Sequence, residues 1–311
     1  MRICSLLPSA TEICFALGLN RSLVGVSHEC DYPDPARALP KLTRSNLPAN
    51  VASSEIDRAV SSALEVEGSL YDLDLPLLKS LEPDLILTQR LCDVCAVSFD
   101  RVQEAVNSLP SRPRILNLEP RSLDGVFASI LEIAEAANVE DAGRRLVASL
   151  RERVEQVRQT AAKAESLPRV FCMEWVDPPY CGGHWIPELV EIAGGVDRLA
   201  NRHRPSRRIE WQRVLDYAPE VVILTCCGFE LERTIKEAAV LAGFAGVERL
   251  PAVQNDRVYA TDGSHFFARP GPRIVDSLEM LAHLIHPELF NPPPLSAAFE
   301  MLHLPLHASA R

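Results

Sequence analysis

The sequence predicts an α/β fold made of two Rossmann-like lobes with parallel sheets, joined by a single long connecting helix. Three observations predict this fold: a segment that occurs twice, a strand-loop-helix pattern at the start of each half, and a long amphipathic stretch between the halves. We expect an N-terminal lobe over residues 1–138, the connecting helix over 139–167, a C-terminal lobe over 168–286 and a tail over 287–311. A ligand cleft would then lie between the lobes.

The repeated segment contains a proline, an acidic residue, a short apolar run and a threonine. It occurs at residues 81–89 and again at residues 217–226, each time after a helical pattern. A short apolar run that begins after proline and ends in polar residues is typical of a buried parallel strand. The two halves are therefore predicted to share one structural unit.

Each half also begins with a strand, a loop and a helix. The first such unit covers residues 2–18, with Ser9 or Thr11 as the predicted helix N-cap. The second covers residues 169–195. In the first half the two strands lie further apart in sequence, and we interpret residues 46–69 as an inserted, partly helical segment.

The segment between the halves, residues 140–166, has apolar residues at helical spacing among many arginines and glutamates. This pattern predicts one amphipathic helix that ends before Pro168. The tail contains three consecutive prolines at 292–294 and little pattern. We expect the tail to wrap over the surface or to be partly disordered.

The composition excludes several classes of partner. The 311 residues carry a net charge of -10, which argues against nucleic acid or an anionic membrane as the main partner. No apolar stretch is long enough for a membrane span. Polar residues interrupt the N-terminal apolar run, so it does not resemble a secretory signal, and nine is an odd number of cysteines. We therefore expect a cytoplasmic location, unless the gene starts upstream and encodes a signal for the periplasm.

Several short motifs, in this order and spacing, resemble the class III substrate-binding proteins of ABC importers, which bind cobalamin, siderophores, haem or zinc and manganese. The resemblance is greatest to the cobalamin-binding branch and rests on SLLPSATE at 5–12, LVGVS at 23–27, DYP at 31–33, AGG at 193–195 and RPGPR at 269–273. It implies non-catalytic binding of a cobalamin-like corrinoid or another metal chelate. The protein would act as a cytosolic carrier or sensor, or as an importer component with the permease as its partner.

Loops at the carboxyl ends of parallel strands form the ligand sites of such sheets. Aromatic side chains in these loops suit a large flat ligand, and polar side chains would fix its orientation. We predict ligand contacts in five loops, from Ser9 and Thr11; His28, Glu29, Cys30 and Tyr32; Gln89, Cys92 and Cys95; Glu174, Trp175, Tyr180, His184 and Trp185; and Asp262, His265, Phe266 and Arg269. Arg269 could instead pair with Asp262 as a structural contact.

The same loops carry a set of candidate metal ligands, His28, Cys92, Cys95, His184 and His265. A histidine could supply an axial bond to cobalt, or the set could hold a free metal ion. The CxxC pair at 92 and 95 is compatible with metal binding, redox cycling or a structural role. The alternative function is therefore a metal-dependent or thiol-dependent enzyme, or a free metal-ion binder. No catalytic residue is predicted, because we find no nucleophile elbow, P-loop or HExxH motif.

Overall fold

The computed structural model describes residues 1–46, 51–66, 70–90 and 99–304. The chain divides into two compact units. The first unit consists of Met1–Val51, Glu55–Pro120 and Asp124–Ser149, and the second of Ala52–Ser54, Arg121–Leu123 and Leu150–Arg311. Among the described helices, none is both long enough and apolar enough to span a bilayer.

The first half of the chain forms six strands and six helices, counting only elements within the described residues. In order they are β1 (Ile3–Ser5), α1 (Pro8–Ala16), β2 (Leu23–Val26), β3 (Thr43–Ser45), α2 (Ser53–Val66), β4 (Tyr71–Leu73), α3 (Leu75–Ser80), β5 (Leu85–Thr88), α4 (Phe99–Ser108), β6 (Arg114–Asn117), α5 (Leu123–Ala136) and α6 (Glu140–Ala161). Four strands form a parallel sheet in the order β2-β1-β5-β6, and β3 pairs antiparallel with β4. All residues of β1 and β5 are buried, as expected for central strands of a parallel sheet.

The second half forms a six-stranded sheet in the order β11-β8-β7-β12-β13-β14. Its elements are β7 (Val170–Trp175), β8 (Tyr180–Cys181), β9 (Gly183–His184), α7 (Ile186–Ile192), β10 (Asn201–Arg202), β11 (Arg207–Arg208), α8 (Trp211–Tyr217), β12 (Val221–Leu224), α9 (Leu231–Ala238), α10 (Pro251–Gln254), β13 (Val258–Thr261), α11 (Ile274–Ile285) and β14 (Phe299–Met301). The three central strands β7, β12 and β13 are parallel, and the outer strands run antiparallel to their neighbours. The predicted α/β fold with parallel sheets is confirmed, and the antiparallel edges are additional.

The predicted repeat forms equivalent structures in the two halves. Its apolar runs are β5 and β12, which are buried along their whole length. The residues before the two prolines, Glu82 and Ala218, both have left-handed backbone conformations, with φ of 40° and 48°. The acidic residue after each proline accepts a backbone hydrogen bond from the residue before the strand that begins that half: Arg2 N donates to Asp84 Oδ2 over 2.7 Å, and Arg169 N donates to Glu220 Oε2 over 2.9 Å.

The start of α1 differs from the predicted N-cap. The capping residue is Leu7, and Pro8 is the first helical residue, a position for which the fixed φ of proline is suited. Ser9 and Thr11 therefore lie inside the helix and are buried. The Thr11 hydroxyl is 2.9 Å from Ser5 Oγ and 3.1 Å from Cys30 Sγ, so it bonds within the core instead of capping the helix.

The connecting helix and the tail also depart from expectation in detail. The helix α6 ends at Ala161, earlier than the predicted end at residue 166. Its Arg153 binds Asp276 over 2.6 Å and Glu279 over 2.7 Å, which attaches this part of the helix to α11. The tail residues 299–301 form β14, which pairs with β13 and covers an edge of the sheet. This strand is an addition to the expected tail, since no local pattern predicted it.

Candidate functional site

Three loops meet at the carboxyl edge of the second sheet, after β7, β12 and β13. The backbone N–H of Ser264, after β13, donates to the carbonyl of Phe229, after β12, over 3.0 Å. Gly263 lies against the backbone of the β12 loop, and a Cβ at this position would be 2.2 Å from the carbonyl oxygen of Cys226. Glycine is therefore required where the two loops touch. We call this junction the strand-end site.

Trp175 contributes an aromatic surface to the strand-end site. Its ring centroid is 4.8 Å from that of Phe229, with the two planes inclined by 41°. Its indole N–H donates to the carbonyl of Ser53 over 3.2 Å. The side chain is only partly buried, so it retains exposed ring area for a ligand. The sequence analysis did not include Phe229 among the predicted ligand contacts. It follows the repeated strand, so the rule that ligands meet the carboxyl ends of parallel strands applies to it.

His265 and Asp262 form an oriented pair in the loop after β13. The Asp262 carboxylate accepts the backbone N–H of His265 over 2.9 Å, and its other oxygen lies 2.7 Å from His265 Nδ1. A carboxylate in this position holds the imidazole ring in one orientation. The alternative pairing of Asp262 with Arg269 is not the one that forms. Arg269 and Phe266 are both buried.

Glu174 holds the loop over residues 174–185, here called the aromatic loop, rather than facing outward. Its Oε1 accepts the backbone N–H of Gly183 over 2.7 Å, and the Ser206 hydroxyl donates to the same carboxylate. Burial raises the pKa of Glu174 to about 7, against the lowering effect of these hydrogen bonds. Burial likewise raises the pKa of nearby Asp197 to about 7. Asp197 accepts backbone hydrogen bonds from Cys172, Leu199 and Ala200, and no local motif predicted this role.

Trp185 and His184 lie further along the same loop. Trp185 is 6% exposed, and its indole N–H donates to the carbonyl of Phe267 over 3.0 Å. His184 stacks on Trp185 with a centroid distance of 5.4 Å, and its Nε2 is buried without a hydrogen-bond partner among the described residues. Burial, with a smaller contribution from Arg121, lowers the pKa of His184. Trp185 is therefore mainly a packing residue, whereas Tyr180 is partly exposed.

In the first unit, Thr43 fixes His28, which lies in the loop after β2. Its hydroxyl oxygen accepts the backbone N–H of His28 over 3.0 Å and lies 2.7 Å from His28 Nδ1. Burial lowers the pKa of His28. Cys30 is buried, whereas Glu29 and Tyr32 are exposed. After β5, Gln89 is buried.

The predicted metal set does not form a cluster in the part of the chain that is described. There, no group of three or more His, Cys, Asp or Glu side chains could hold a metal ion. Cys92 and Cys95 lie outside the described residues. Of the seven cysteines that are described, all are free thiols and only Cys227 is exposed.

Comparison with known protein families identifies the family of this chain. The sequence profile described as "Periplasmic binding protein" matches residues 3–264. The chain belongs to the periplasmic binding protein family. Its site at the carboxyl edge of a parallel sheet is the kind of place where open α/β sheets bind ligands.

Three similar proteins indicate the range of this periplasmic binding protein's relatives. A vitamin B12-binding protein of Vibrio cholerae serotype O1 is 25% identical over 289 residues, which are 90% of this chain and 87% of that protein. An ABC transporter substrate-binding lipoprotein of Bacillus subtilis, YvrC, is 25% identical over 302 residues, covering 93% and 81%. The solved periplasmic heme-binding protein RhuT from Roseiflexus has a TM-score of 0.70 at 21% identity, covering 92% and 98%.

The expected cytoplasmic location is wrong. The relatives include a lipoprotein of an ABC transporter and a periplasmic protein, and both names refer to places outside the cytoplasm. The odd number of cysteines contributed to the wrong location. A cysteine count indicates little about the compartment when the thiols are buried and do not react. Burial raises the pKa of Cys4 and of Cys14 to about 12, so these thiols are inert small apolar side chains. The relatives are binding proteins, and nothing in them supports the enzyme alternative.

Proposed function

We propose that this chain is the substrate-binding component of an ABC importer, that it acts outside the cytoplasm, and that it binds a cobalamin-like metal chelate at the strand-end site. The observation that carries the proposal is the pairing of an aromatic surface with an oriented imidazole. Trp175 and Phe229 are joined to His265 through the hydrogen bond from Ser264 to the Phe229 carbonyl. Contacts from Ser9, His28, Glu29, Tyr32 and Gln89 in the first unit stay predictions.

A macrocyclic chelate matches the chemistry of the strand-end site. A corrin or porphyrin presents a wide apolar face, which aromatic rings bind through burial and stacking. The central metal needs a donor perpendicular to that face, and an imidazole fixed by a carboxylate is a suitable donor. His265 meets this requirement because Asp262 engages both its backbone N–H and its Nδ1.

Among metal chelates, we favour a corrinoid. The vitamin B12-binding relative of Vibrio cholerae matches this chain over 90% of its length, whereas the likeness to the heme-binding protein concerns the fold. Heme is the second candidate, because the orientation of His265 by Asp262 would serve an iron ligand equally well.

Titration of the purified protein with cyanocobalamin and with hemin tests the proposal. We expect saturable binding of at least one chelate, with cyanocobalamin bound more tightly. Trp175→Leu should weaken binding by about tenfold, because an aromatic pair and its buried area contribute on the order of 1–2 kcal/mol. Trp211→Leu is the matched control, since Trp211 packs on Phe244 and its indole N–H donates to the carbonyl of Ala245. Absence of saturable binding of either chelate would refute the proposed function.

A further inference from the structure

Arginine is concentrated in one segment of this acidic protein. Residues 198–208, here called the arginine segment, contain five arginines and one histidine but no acidic residue, in a chain with a net charge of -10. The four arginines at 202, 204, 207 and 208 are exposed. Exposed arginines alone are ordinary solvated charges, so the position of the segment decides whether they have a function.

The arginine segment is attached to the aromatic loop of the strand-end site. Its strand β10 pairs with β9, and its strand β11 pairs antiparallel with β8. The N–H of His184 donates to the carbonyl of Arg204 over 2.7 Å, and the N–H of Asn201 donates to the carbonyl of Gly182 over 2.7 Å. Gly183 allows this contact, since a Cβ there would lie 2.3 Å from the backbone nitrogen of Ser206. The cations are therefore carried on backbone that is fixed beside the loop.

The strand register places arginines next to two predicted ligand contacts. Arg208 is directly opposite Tyr180, and Arg202 is opposite His184. Residues that face each other across an antiparallel pair project to the same side of the sheet. Arg208 thus projects on the same side as the partly exposed Tyr180. Arg121 adds positive charge near His184, whose pKa it lowers after the larger effect of burial.

The guanidinium groups of Arg204, Arg207 and Arg208 are not neutralised within the described residues, and Arg207 differs from the other two because it lies opposite the buried Cys181. Arg202 is engaged by Glu191. By contrast, the side chains of Arg204 and Arg208 form no ion pair or hydrogen bond within the described residues. An unpaired guanidinium on a fixed backbone is suited to bind a carboxylate or a phosphate through two parallel N–H donors.

We propose that Arg204 and Arg208 bind an anionic substituent of the chelate, a carboxylate or a phosphate, and so select chelates that carry such a group over those that lack it. This inference rests on the proposed function, because it specifies the ligand class at the same site. It also gives the arginine segment a role in a protein whose overall charge would otherwise repel anionic ligands.

Matched pairs of chelates test the proposal. Hemin is compared with its dimethyl ester, which lacks the two carboxylates, and cyanocobalamin with dicyanocobinamide, which lacks the nucleotide phosphate. The variant is Arg204→Gln/Arg208→Gln, and the control is Arg213→Gln, an exposed arginine on α8. For at least one pair, we expect the double variant to weaken binding of the member that carries the carboxylates or the phosphate by about tenfold or more, with the other member unchanged. Raised salt should reproduce part of that loss in the wild-type protein.

Each of the following outcomes would overturn the inference. An equal loss for both members of each pair, or no loss, removes charge recognition while leaving chelate binding intact. An equal effect of Arg213→Gln reduces the result to overall charge. Binding to phosphatidylglycerol vesicles that the double variant abolishes, with chelate affinity unchanged, assigns the segment to a membrane surface. If the wild-type protein binds none of the four chelates, the proposed function fails and the inference fails with it. Thermal unfolding of the double variant checks that the fold is retained.

Discussion

Trp175 and Trp185 lie in one loop but have different surroundings. Trp175 is partly exposed and rests on Phe229. Trp185 is 6% exposed, with its N–H bonded to the Phe267 carbonyl. The sequence alone assigned both to ligand contact, because burial depends on neighbours that are distant in sequence. The structure separates a candidate binding residue from a packing residue.

This difference predicts that one alanine variant mainly loses stability and the other mainly loses chelate binding. Trp185→Ala should lower the free energy of unfolding by about 3–5 kcal/mol, since it removes a buried ring and leaves the Phe267 carbonyl without its donor. Trp175→Ala should cost clearly less stability and mainly weaken chelate binding. Urea unfolding of both variants measures the difference. Equal losses of stability would show that Trp175 is also a packing residue.

The Asp262–His265 pair predicts a second effect at the residue scale. Asp262→Asn replaces a carboxylate by a weaker acceptor, so the orientation of His265 should be less defined and hemin affinity should fall by about tenfold. The Soret band should also change, because axial ligation determines it. Asp256→Asn is the control, since Asp256 lies 3.0 Å from exposed His303 in a similar pair away from the strand-end loops. An unchanged Soret band and affinity in Asp262→Asn would exclude His265 as an axial ligand.

At the scale of elements, the aromatic loop depends on Gly183. A Cβ at this position would meet backbone atoms of Ser206, Arg204 and Pro205 at 2.3–2.8 Å, and backbone cannot move aside cheaply. Gly183→Ala should therefore displace β9 from the arginine segment and reduce both stability and chelate binding. Gly243→Ala is the control, because nothing lies within 4 Å of its Cβ position. Thermal unfolding measures the outcome, and equal melting temperatures for the two variants would contradict the described packing.

Glu174 predicts a pH dependence of the same loop. Burial raises its pKa in the folded protein to about 7, above the ordinary value of 4.5, so the folded state binds a proton that the unfolded state has released between these pH values. The contribution of Glu174 to stability is therefore largest below pH 4.5 and is lost as the pH rises through 7. Glu174→Gln keeps an acceptor for Gly183 N–H and should reduce the fall in unfolding free energy between pH 5 and 7.5. Urea unfolding at both pH values measures it, and an identical fall in both proteins would contradict the assignment.

The strands could be predicted from the sequence and the helix start could not. The apolar runs of β5 and β12 are fully buried. A short continuous apolar run predicts a strand that is buried on both faces. The cap of α1 was misplaced because Ser9 and Thr11 have the residue types of a cap, while Pro8 had already fixed the first turn. The strand β14 depends on pairing with β13, and no local pattern in the tail predicts it.

For the whole molecule, the internal repeat predicted two units of similar construction, and the chain divides into two compact units. The equivalent residues Asp84 and Glu220 make equivalent hydrogen bonds in them. The strand-end rule indicated the loops of Trp175 and His265, and the structure brings these loops together at one sheet edge, while their contact with a ligand stays a prediction. The rule could not identify the anchoring roles of Glu174 and Asp197. The location was missed, because a count of cysteines does not show that most of the described thiols are buried.

Hydrogen exchange with and without saturating cyanocobalamin tests whether the strand-end loops of the second unit bind the chelate. If these loops bind the chelate, exchange should be slower in peptides covering residues 174–185, 226–229 and 262–269, with no change in α8 and α10. Saturable binding that leaves exchange in all three loops unchanged, or that slows it only elsewhere, would contradict the account.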